Sequence, residues 1–280
     1  MIKQSLLFLA LAAAASPVLA QSDDANSKWS GAYLGASIGN TDPRSGDDAT
    51  ILFDTNLDGG FGDTVRTGAG ADAFSPGFCG GLAAGRTPSA GCVGDKGGMT
   101  LGVRAGYDWQ VGNFVFGALA EYSNYDDVRD GLTGFSTTPA SYTFVRELDS
   151  SIALRARGGV AFGQNNDWLA YATAGAVRAK ISNSFQSSNT ANAFSLSEGG
   201  DSNGVQFGAG IERKLADNIS VGLEYLRTRI DDEDARVLTS QGTAPLSNPF
   251  LLVNASGTNF RRSDDRFDLD TLQLTLNLRF

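Results

Sequence analysis

The residues best suited to polar chemistry are six charged side chains that recur on the polar faces of alternating segments. They are three arginines and three glutamates, namely Arg104, Glu121, Arg155, Arg157, Glu212 and Glu224. Equal numbers of opposite charges enclosed together form charge-assisted hydrogen bonds. We therefore expect these six to pair and close the interior of the fold. The simpler alternative is that they only keep that interior polar and wet.

Two cysteines, Cys79 and Cys92, lie in one glycine-rich segment and are the only thiols of the chain. Two thiols in one loop of an exported protein most often pair, because compartments outside the cytoplasm are oxidising. We predict a disulfide closing a ring of about 14 residues, which stabilises by about 3 kcal/mol in the chain-entropy model. The alternative is a reactive free thiol.

The same segment contains the string D-x-N-x-D-G, which begins at Asp54. Oxygen ligands at alternate positions, with a glycine for the sharp turn, are typical of an EF-hand-type calcium loop. The twelfth position is Val65 rather than Glu, so another oxygen would have to complete the shell. Asp-rich turns also produce such strings without a metal. The candidate Ca²⁺ ligands are Asp54, Asn56, Asp58 and Asp63, and no other cofactor is expected.

The composition excludes several classes of protein. The 280 residues include no His, 31 Asp and Glu, and 22 Lys and Arg. Without His the chain cannot build a Ser-His or Cys-His nucleophile pair or a His-ligated metal centre. A formal net charge of −9 does not suit nucleic acid, which is bound by clustered Lys and Arg. An acid-only catalytic site would have to use a run such as Asp231, Asp232, Glu233 and Asp234, which is more simply a solvated tip.

Residues 1–20 have the features of a signal peptide. Lys3 gives a positive start, a short apolar run follows, and Val18 and Ala20 suit the small-residue rule for cleavage. The apolar run is too short to be a membrane anchor. We predict cleavage after Ala20 and a single exported domain at 21–280.

Beyond this leader, the hydropathy pattern has a period of two. Seven apolar or aromatic residues alternate with small or polar ones over 98–111, and the pattern repeats over 114–122. A period of two places the apolar side chains on one face of a β-strand. The two-residue connection with Gly112 first favours a type II′ hairpin. Its register pairs Arg104 with Glu121, so that opposite charges and apolar faces meet.

The same alternation recurs in six further segments and predicts eight strands of roughly ten residues, the length that crosses a bilayer when tilted. The segments are 31–38, 98–111, 114–122, 152–162, 169–178, 205–212, 219–225 and 271–280. In the fifth segment we assign Leu169, Tyr171, Thr173 and Val177 to the apolar face, opposite alanines and Arg178.

Short and long connections alternate along the chain. The short ones are 112–113, 164–167 and 216–218, and the long, polar ones are 40–97, 126–148, 182–203 and 230–266. Short turns on one rim and long loops on the other indicate an outer-membrane barrel, with the turns in the periplasm and the loops outside. The long loops are acidic. Facing anionic lipopolysaccharide they need bridging divalent cations or must stand away from the surface, unless they are simply solvated.

Alternation alone does not determine which face meets lipid, because a soluble lipocalin-like barrel alternates with its apolar face inward. Here the polar face consists of Gly, Ala and Ser with a few charges at similar depth, which suits a narrow lumen. Aromatic residues also fall near the rim of short turns, which predicts a membrane girdle. They are Trp29, Trp109, Trp168, Phe114, Phe162 and Phe280. We therefore predict that the apolar face lies outside.

Three segments resemble a known family: WSGAYLGASIG at 29–39, LGVRAGYDWQVGNFVFGALAEY at 101–122 and IERKLADNISVGLEYLR at 211–227. They resemble the eight-stranded OmpA/OmpX-type barrels, and more closely the alphaproteobacterial outer-membrane surface proteins of the porin family. The terminal LQLTLNLRF resembles the signal by which the barrel-assembly machinery recognises its clients, with Phe280 as its last residue. The resemblance covers the strands, about half of the mature chain, and not the loops. Unlike OmpA, no peptidoglycan-binding domain is expected after Phe280.

The sequence thus predicts an all-β protein, an eight-stranded antiparallel up-and-down transmembrane β-barrel with long extracellular loops in a Gram-negative outer membrane. The expected role is structural or interactive: envelope integrity and loop-mediated contact with an extracellular ligand, among outer-membrane lipids and lipopolysaccharide. A narrow porin-like diffusion channel is the first alternative, and a Ca²⁺-dependent loop-binding protein is the second. An enzyme is not expected, because outer-membrane barrel hydrolases and acyltransferases rely on His, which this chain lacks.

Overall fold

The computed structural model describes residues 28–44, 48–197, 201–232 and 235–280. Eight long strands form its main sheet: β1 Gly31–Pro43, β2 Gly98–Val111, β3 Phe114–Ser136, β4 Ala140–Phe162, β5 Trp168–Ser187, β6 Ser202–Ala216, β7 Ile219–Asp231 and β8 Arg266–Arg279. The predicted signal peptide at 1–20, like Glu233 and Asp234 of the acidic run, lies outside the described residues.

Each of these strands pairs in antiparallel fashion with its neighbours in the chain, and β8 also pairs with β1, so that the sheet closes on itself. Closure leaves the eight-stranded barrel itself without an open edge, which lipid requires because it offers the backbone no hydrogen-bonding partner. The predicted all-β, antiparallel up-and-down barrel is confirmed. Among the described residues, no helix has the length and hydropathy needed to cross a bilayer.

The hairpin of β2 and β3 has the register that the sequence predicts. Arg104 lies opposite Glu121, and Val111 lies opposite Phe114 across the turn. Gly112 has a φ of 60°, the positive value that the first position of a type II′ turn requires. The turn therefore fixes the register in which opposite charges meet.

The barrel is apolar outside and polar inside. On β8, the side chain of Leu274 is 60% exposed, whereas its neighbours Gln273 and Thr275 are each 2% exposed. The other strands expose leucine, isoleucine, valine and aromatic side chains in the same way. Since these exposed side chains form a continuous belt, the prediction that the apolar face lies outward is confirmed.

Two side-chain placements in the sequence analysis are wrong. On β5, the side chains of Leu169, Tyr171, Thr173 and Val177 are buried in the lumen, and the alanines face outward. Both faces of this strand are largely apolar, so alternation did not distinguish them, and the lumen takes the bulkier set. Trp29 is not part of the outer girdle, because it is fully buried beneath the barrel.

The long connections contain more structure than their polar sequences indicate. The predicted loop 126–148 is almost entirely β-strand, because β3 and β4 continue past a bulge after Asn124 and turn only at 137–139. The predicted loop 182–203 begins with the end of β5 and includes a separate strand. In these parts the two faces of each strand are either both polar or both buried. The sequence therefore lacks the alternation of apolar and polar residues by which the membrane-spanning strands were recognised.

The predicted loops together form a folded unit, which we call the cap. It comprises the described residues of the four long connections with the outer ends of β3, β4 and β5. Four of its strands form a sheet in the order Ala193–Ser197, Arg236–Ser240, Thr258–Arg262 and Ile51–Asp54. Its other strands are Gly77–Gly80, Leu82–Ala83 and Cys92–Val93, and its 3-10 helices are Pro88–Ala90 and Pro249–Leu251. Its core consists of Ile51, Phe53, Val65, Ala73, Phe74, Leu132, Ala140, Tyr142, Phe144, Val237, Phe250 and Phe260.

Candidate functional site

We call the end of the barrel with the short turns its lower end. Near this end the lumen is crossed by a ring of four charged side chains, which we call the lower ring. Asp108, Arg157, Glu212 and Arg279 come from β2, β4, β6 and β8, so acids and bases alternate around the barrel. Arg157 donates from Nε to Asp108 at 2.8 Å and from Nη1 to Glu212 at 3.0 Å. Arg279 bridges the same two acids, at 2.9 Å to Asp108 and 3.0 Å to Glu212. Each carboxylate therefore has two guanidinium partners, and the ring is electrically neutral.

Aromatic side chains enclose this ring. The guanidinium of Arg157 lies 4.9 Å from the ring centroid of Tyr33 and 5.0 Å from that of Tyr171. Arg279 lies 4.8 Å from the centroid of Trp29 and donates to its backbone carbonyl at 3.1 Å. Trp29 in turn donates from Nε1 to the carbonyl of Asn166 at 2.8 Å. Trp29 is fully buried and packs against lumen residues at the end of the barrel with the short turns.

Two glycines permit the tyrosines to lie so close to the wall. Gly106 lies opposite Tyr33, and Gly210 lies opposite Tyr171. A Cβ at either glycine would be 2.5 Å from the hydroxyl oxygen of the facing tyrosine. Any larger residue at these positions would push the aromatic rings away from Arg157.

A second neutral ring, the upper ring, lies on the outer side of the lower ring. Arg104 donates to Glu121 at 2.9 Å and to Glu224 at 2.7 Å. Arg155 bridges the same two glutamates, with Glu224 at 3.0 Å. Gln273 donates a further hydrogen bond to Glu224 at 2.9 Å. Gln273 thus adds a neutral partner to a buried carboxylate, which a charge in a low-dielectric interior requires to be well hydrogen-bonded.

Above the upper ring the lumen contains a cluster of apolar side chains. The cluster consists of Val128, Leu148, Ala153, Val177, Ala179, Ile181, Ile230, Phe267 and Leu269. These residues come from β3, β4, β5, β7 and β8 and are all buried. These side chains fill part of the bore between the charged rings and the cap, and we call them the apolar layer.

A third cluster of buried charges joins the cap to the barrel, and we call it the outer lock. Arg146 on β4 donates to Asp130 on β3 at 2.7 Å and to Asp264 at 2.7 Å. Arg262 donates to Asp130 at 2.6 Å and to Asp264 from Nε at 2.9 Å. Asp232 lies 3.5 Å from Arg146 at its edge. The lock therefore ties the β3–β4 hairpin to the segment that leads into β8.

The outer lock makes the cap sensitive to acid. Burial alone would raise the pKa of the Asp264 carboxyl, but the hydrogen bond from Arg262 and the charge of Arg146 outweigh burial and hold the pKa below its usual value. A carboxyl with a depressed folded pKa stabilises the fold above its unfolded pKa, and this contribution is lost as the pH falls through the folded value. We therefore expect hydrogen exchange in the cap to increase selectively below about pH 4, where unfolded Asp titrates. Asp264→Asn should respond less to acid, and an equal response in this variant would contradict the assignment.

The structure brings all six predicted charged residues together, but in two rings rather than at one depth. Arg104, Glu121, Arg155 and Glu224 form the upper ring, and Arg157 and Glu212 belong to the lower one. The sequence analysis missed Asp108 and Arg279, which complete the lower ring. Both lie on the polar faces of alternating strands, so the same period of two could have found them. The outer lock had no such signal, because its residues lie in the predicted loops.

The predicted disulfide between Cys79 and Cys92 is present, and it links strand Gly77–Gly80, which pairs with the outer end of β3, to the small hairpin of the cap. The candidate calcium ligands lie in one turn, where Asp54 accepts the backbone N–H of Gly59 at 3.1 Å and Asp63 accepts that of Thr55 at 2.9 Å. Within the described ranges, no three His, Cys, Asp or Glu residues are arranged to hold a metal. Calcium binding stays a prediction, which titration calorimetry with Asp54→Ala as the control can test.

Phe280 lies next to the end of β8 that carries the lower ring. Its backbone N–H donates to the carbonyl of Ala32 at 2.9 Å, and its side chain is exposed on the outer wall. The aromatic residues Trp109, Phe114 and Phe162 are also exposed toward this end, as the predicted girdle requires.

A closed antiparallel barrel with an apolar exterior and a lumen of paired charges defines a transmembrane β-barrel protein. The match with known proteins then gives the family. The family model described as "Outer membrane protein beta-barrel domain" matches residues 6–280, so the chain belongs to that outer-membrane family.

Several solved structures are similar to this chain. OprG from Pseudomonas aeruginosa is 12% identical with a TM-score of 0.49, over 92% of this chain and 100% of that one. Neisserial surface protein A is 11% identical with a TM-score of 0.35, over 90% and 98%. The outer membrane protease OmpT from Escherichia coli is 9% identical with a TM-score of 0.40, over 92% and 99%. No curated protein matches the chain significantly.

Proposed function

We propose that the protein is a closed outer-membrane barrel with a structural and interactive role, which presents its cap at the cell surface. One observation carries the proposal: two complete charge rings cross the lumen, and none of their eight members is more than 5% exposed. The fully buried Trp29 lies below the rings, and the apolar layer and the cap lie above them.

The rings favour a closed barrel over the narrow diffusion channel. A permeating ion would have to separate buried guanidinium–carboxylate pairs, and an uncompensated buried charge costs several kcal/mol. It would then have to pass the apolar layer, where the neighbouring Gln206 and Thr228 are uncharged and already hydrogen-bonded to each other at 2.9 Å. The cost of both steps disfavours a steady ion path while the rings are intact.

Planar-bilayer recording tests closure directly. We expect the refolded wild-type protein to give no stable conductance steps, with the same preparation after heat unfolding as the control for detergent leakage. Stable steps of uniform size from folded protein would contradict closure and would favour the diffusion channel.

The cap supports the interactive part of the proposal. It has its own sheet, its own aromatic core and a disulfide, so it holds a defined surface outside the barrel. We expect deletion of 45–95 to reduce binding of whole cells to their extracellular ligands while the envelope stays intact. Loss of envelope integrity with unchanged binding would favour a purely structural role.

The remaining partners and the absence of catalysis are also proposals. Lipopolysaccharide would surround the outer end of the barrel, and the barrel-assembly machinery would recognise the segment LQLTLNLRF at 272–280. A non-enzymatic role is supported by the lack of His in the chain, since a nucleophile would have no imidazole to activate it.

A further inference from the structure

The outer wall of the barrel carries an apolar hollow near the rim of the short turns. The hollow has a volume of about 750 Å³, within the range of about 300–1,000 Å³ for small-molecule sites. It crosses β6, β7, β8 and β1, and its lining includes Ile38, Ile211, Leu223, Leu274 and Leu276. These five side chains are between 39% and 60% exposed, so the hollow opens outward from the wall and not into the lumen.

The hollow forms where a small side chain interrupts the apolar belt. Ala36 lies next to Leu276 across strands, and Leu276 lies next to Val221. The larger Ile38 and Leu274 follow in the next outward row. Because the side chain of Ala36 is only a methyl group, it leaves a depression among these larger residues. In the membrane, lipid must fill this depression.

One end of the hollow carries a cation. Arg213 belongs to the same cross-strand row, next to Val221, and its side chain is half-exposed on the outer wall. Its guanidinium lies 4.9 Å from the ring centroid of Trp168, and its Nε is 3.8 Å from Asp167 in the short β4–β5 turn. It donates no side-chain hydrogen bond to any residue of the described ranges. Its guanidinium thus lies at the rim of short turns, half-exposed and with hydrogen-bonding capacity left for a ligand.

We propose that this hollow binds one anionic phospholipid of the periplasmic leaflet, with an acyl chain against the aliphatic wall and its phosphate on Arg213. Short turns face the periplasm in outer-membrane barrels, which places Arg213 and Trp168 at the headgroups of that leaflet. A long basic side chain on an apolar wall extends its charge to the interface and attracts anionic headgroups. The proposal concerns the outer wall and is independent of whether the lumen conducts.

Native mass spectrometry of the protein released from nanodiscs tests the headgroup. The nanodiscs contain equal amounts of phosphatidylglycerol and phosphatidylcholine with identical acyl chains. One basic residue near an anionic surface contributes a preference of about fivefold. We expect the wild type to retain phosphatidylglycerol about fivefold over phosphatidylcholine and Arg213→Gln to retain the two equally. The matched control is Arg178→Gln, an outward arginine paired with Asp201 at the other end of the wall.

A second pair of variants tests the acyl-chain site. Ala36→Leu fills the hollow and should reduce retention of both lipids, whereas Ala174→Leu, on the outward face of β5 outside the hollow, should not. Heat modifiability on a gel verifies that each variant is folded. The proposal would be overturned if Arg213→Gln kept the wild-type headgroup preference, or if Ala36→Leu retained as much lipid as the wild type. It would also be overturned if the wild type retained no lipid or formed a dimer without lipid.

Discussion

Arg157→Ala will lower the free energy of unfolding of the barrel by about 3–5 kcal/mol, the cost of breaking a buried ion pair by removing one partner. The Arg157 guanidinium contacts both acids of the lower ring and lies between two tyrosine rings. Its removal leaves Asp108 and Glu212 with Arg279 alone, so one buried negative charge is uncompensated. Urea unfolding in detergent micelles, followed by tryptophan fluorescence, measures the change.

The matched control for this prediction is Arg178→Ala. Arg178 also pairs with an aspartate, at 3.2 Å, but both side chains are about half-exposed or more. Exposed pairs contribute about 0–1 kcal/mol, because water screens them. A loss below about 1 kcal/mol for Arg157→Ala, equal to that of the control, would show that the lower ring does not hold the barrel together.

Phe260→Ala will destabilise the cap by about 3–5 kcal/mol, the range measured for aromatic-to-alanine changes in packed cores. The ring of Phe260 lies within 6.5 Å of five other aromatic rings and is fully buried. No single neighbour can fill the space that its removal leaves. Since the cap core is separate from the barrel rings, the cap should become sensitive to protease while the barrel still runs as a folded species on a gel.

Leu246→Ala provides the control for the cap, since Leu246 is 59% exposed in the same connection. It removes apolar atoms without opening a cavity, so protease sensitivity should stay at the wild-type level. If Phe260→Ala unfolds cap and barrel together, the two are one cooperative unit. If it leaves the cap resistant, the aromatic core does not stabilise the cap.

The barrel was predictable because its signal is local. Leucines at every second position, from Leu272 to Leu278, can share a face only in a strand, and the Gly112 turn fixes the register of its hairpin. The same signal failed on β5, where alanines and larger apolar residues occupy opposite faces. There the volume of the lumen, which no single strand encodes, decides which face turns inward.

The cap was not predictable, because its contacts join distant parts of the chain. Ile51–Asp54 pairs with Thr258–Arg262, about two hundred residues away, and the outer lock joins Asp130 to Arg262. Within each connection the apolar residues are scattered among Ser, Thr and Gly without a period. Trp29 was misplaced for a similar reason, since only the position of Arg279 and the β4–β5 turn brings it under the lumen.

The lower ring also distinguishes the observed alignment of β8 from shifted ones. A displacement of β8 by two residues would still place leucine beside leucine, because Leu272, Leu274, Leu276 and Leu278 are interchangeable toward lipid. Only the inward residues distinguish one alignment from another, and among them Arg279 is the one cation within β8 below Arg266. In a shifted alignment, the polar but uncharged Asn277 would face Asp108 and Glu212 in its place. A shifted pairing would leave the two buried carboxylates without the Arg279 guanidinium and would be less stable than the observed one. The charge on β8 therefore selects the correct register, which the leucines alone cannot do.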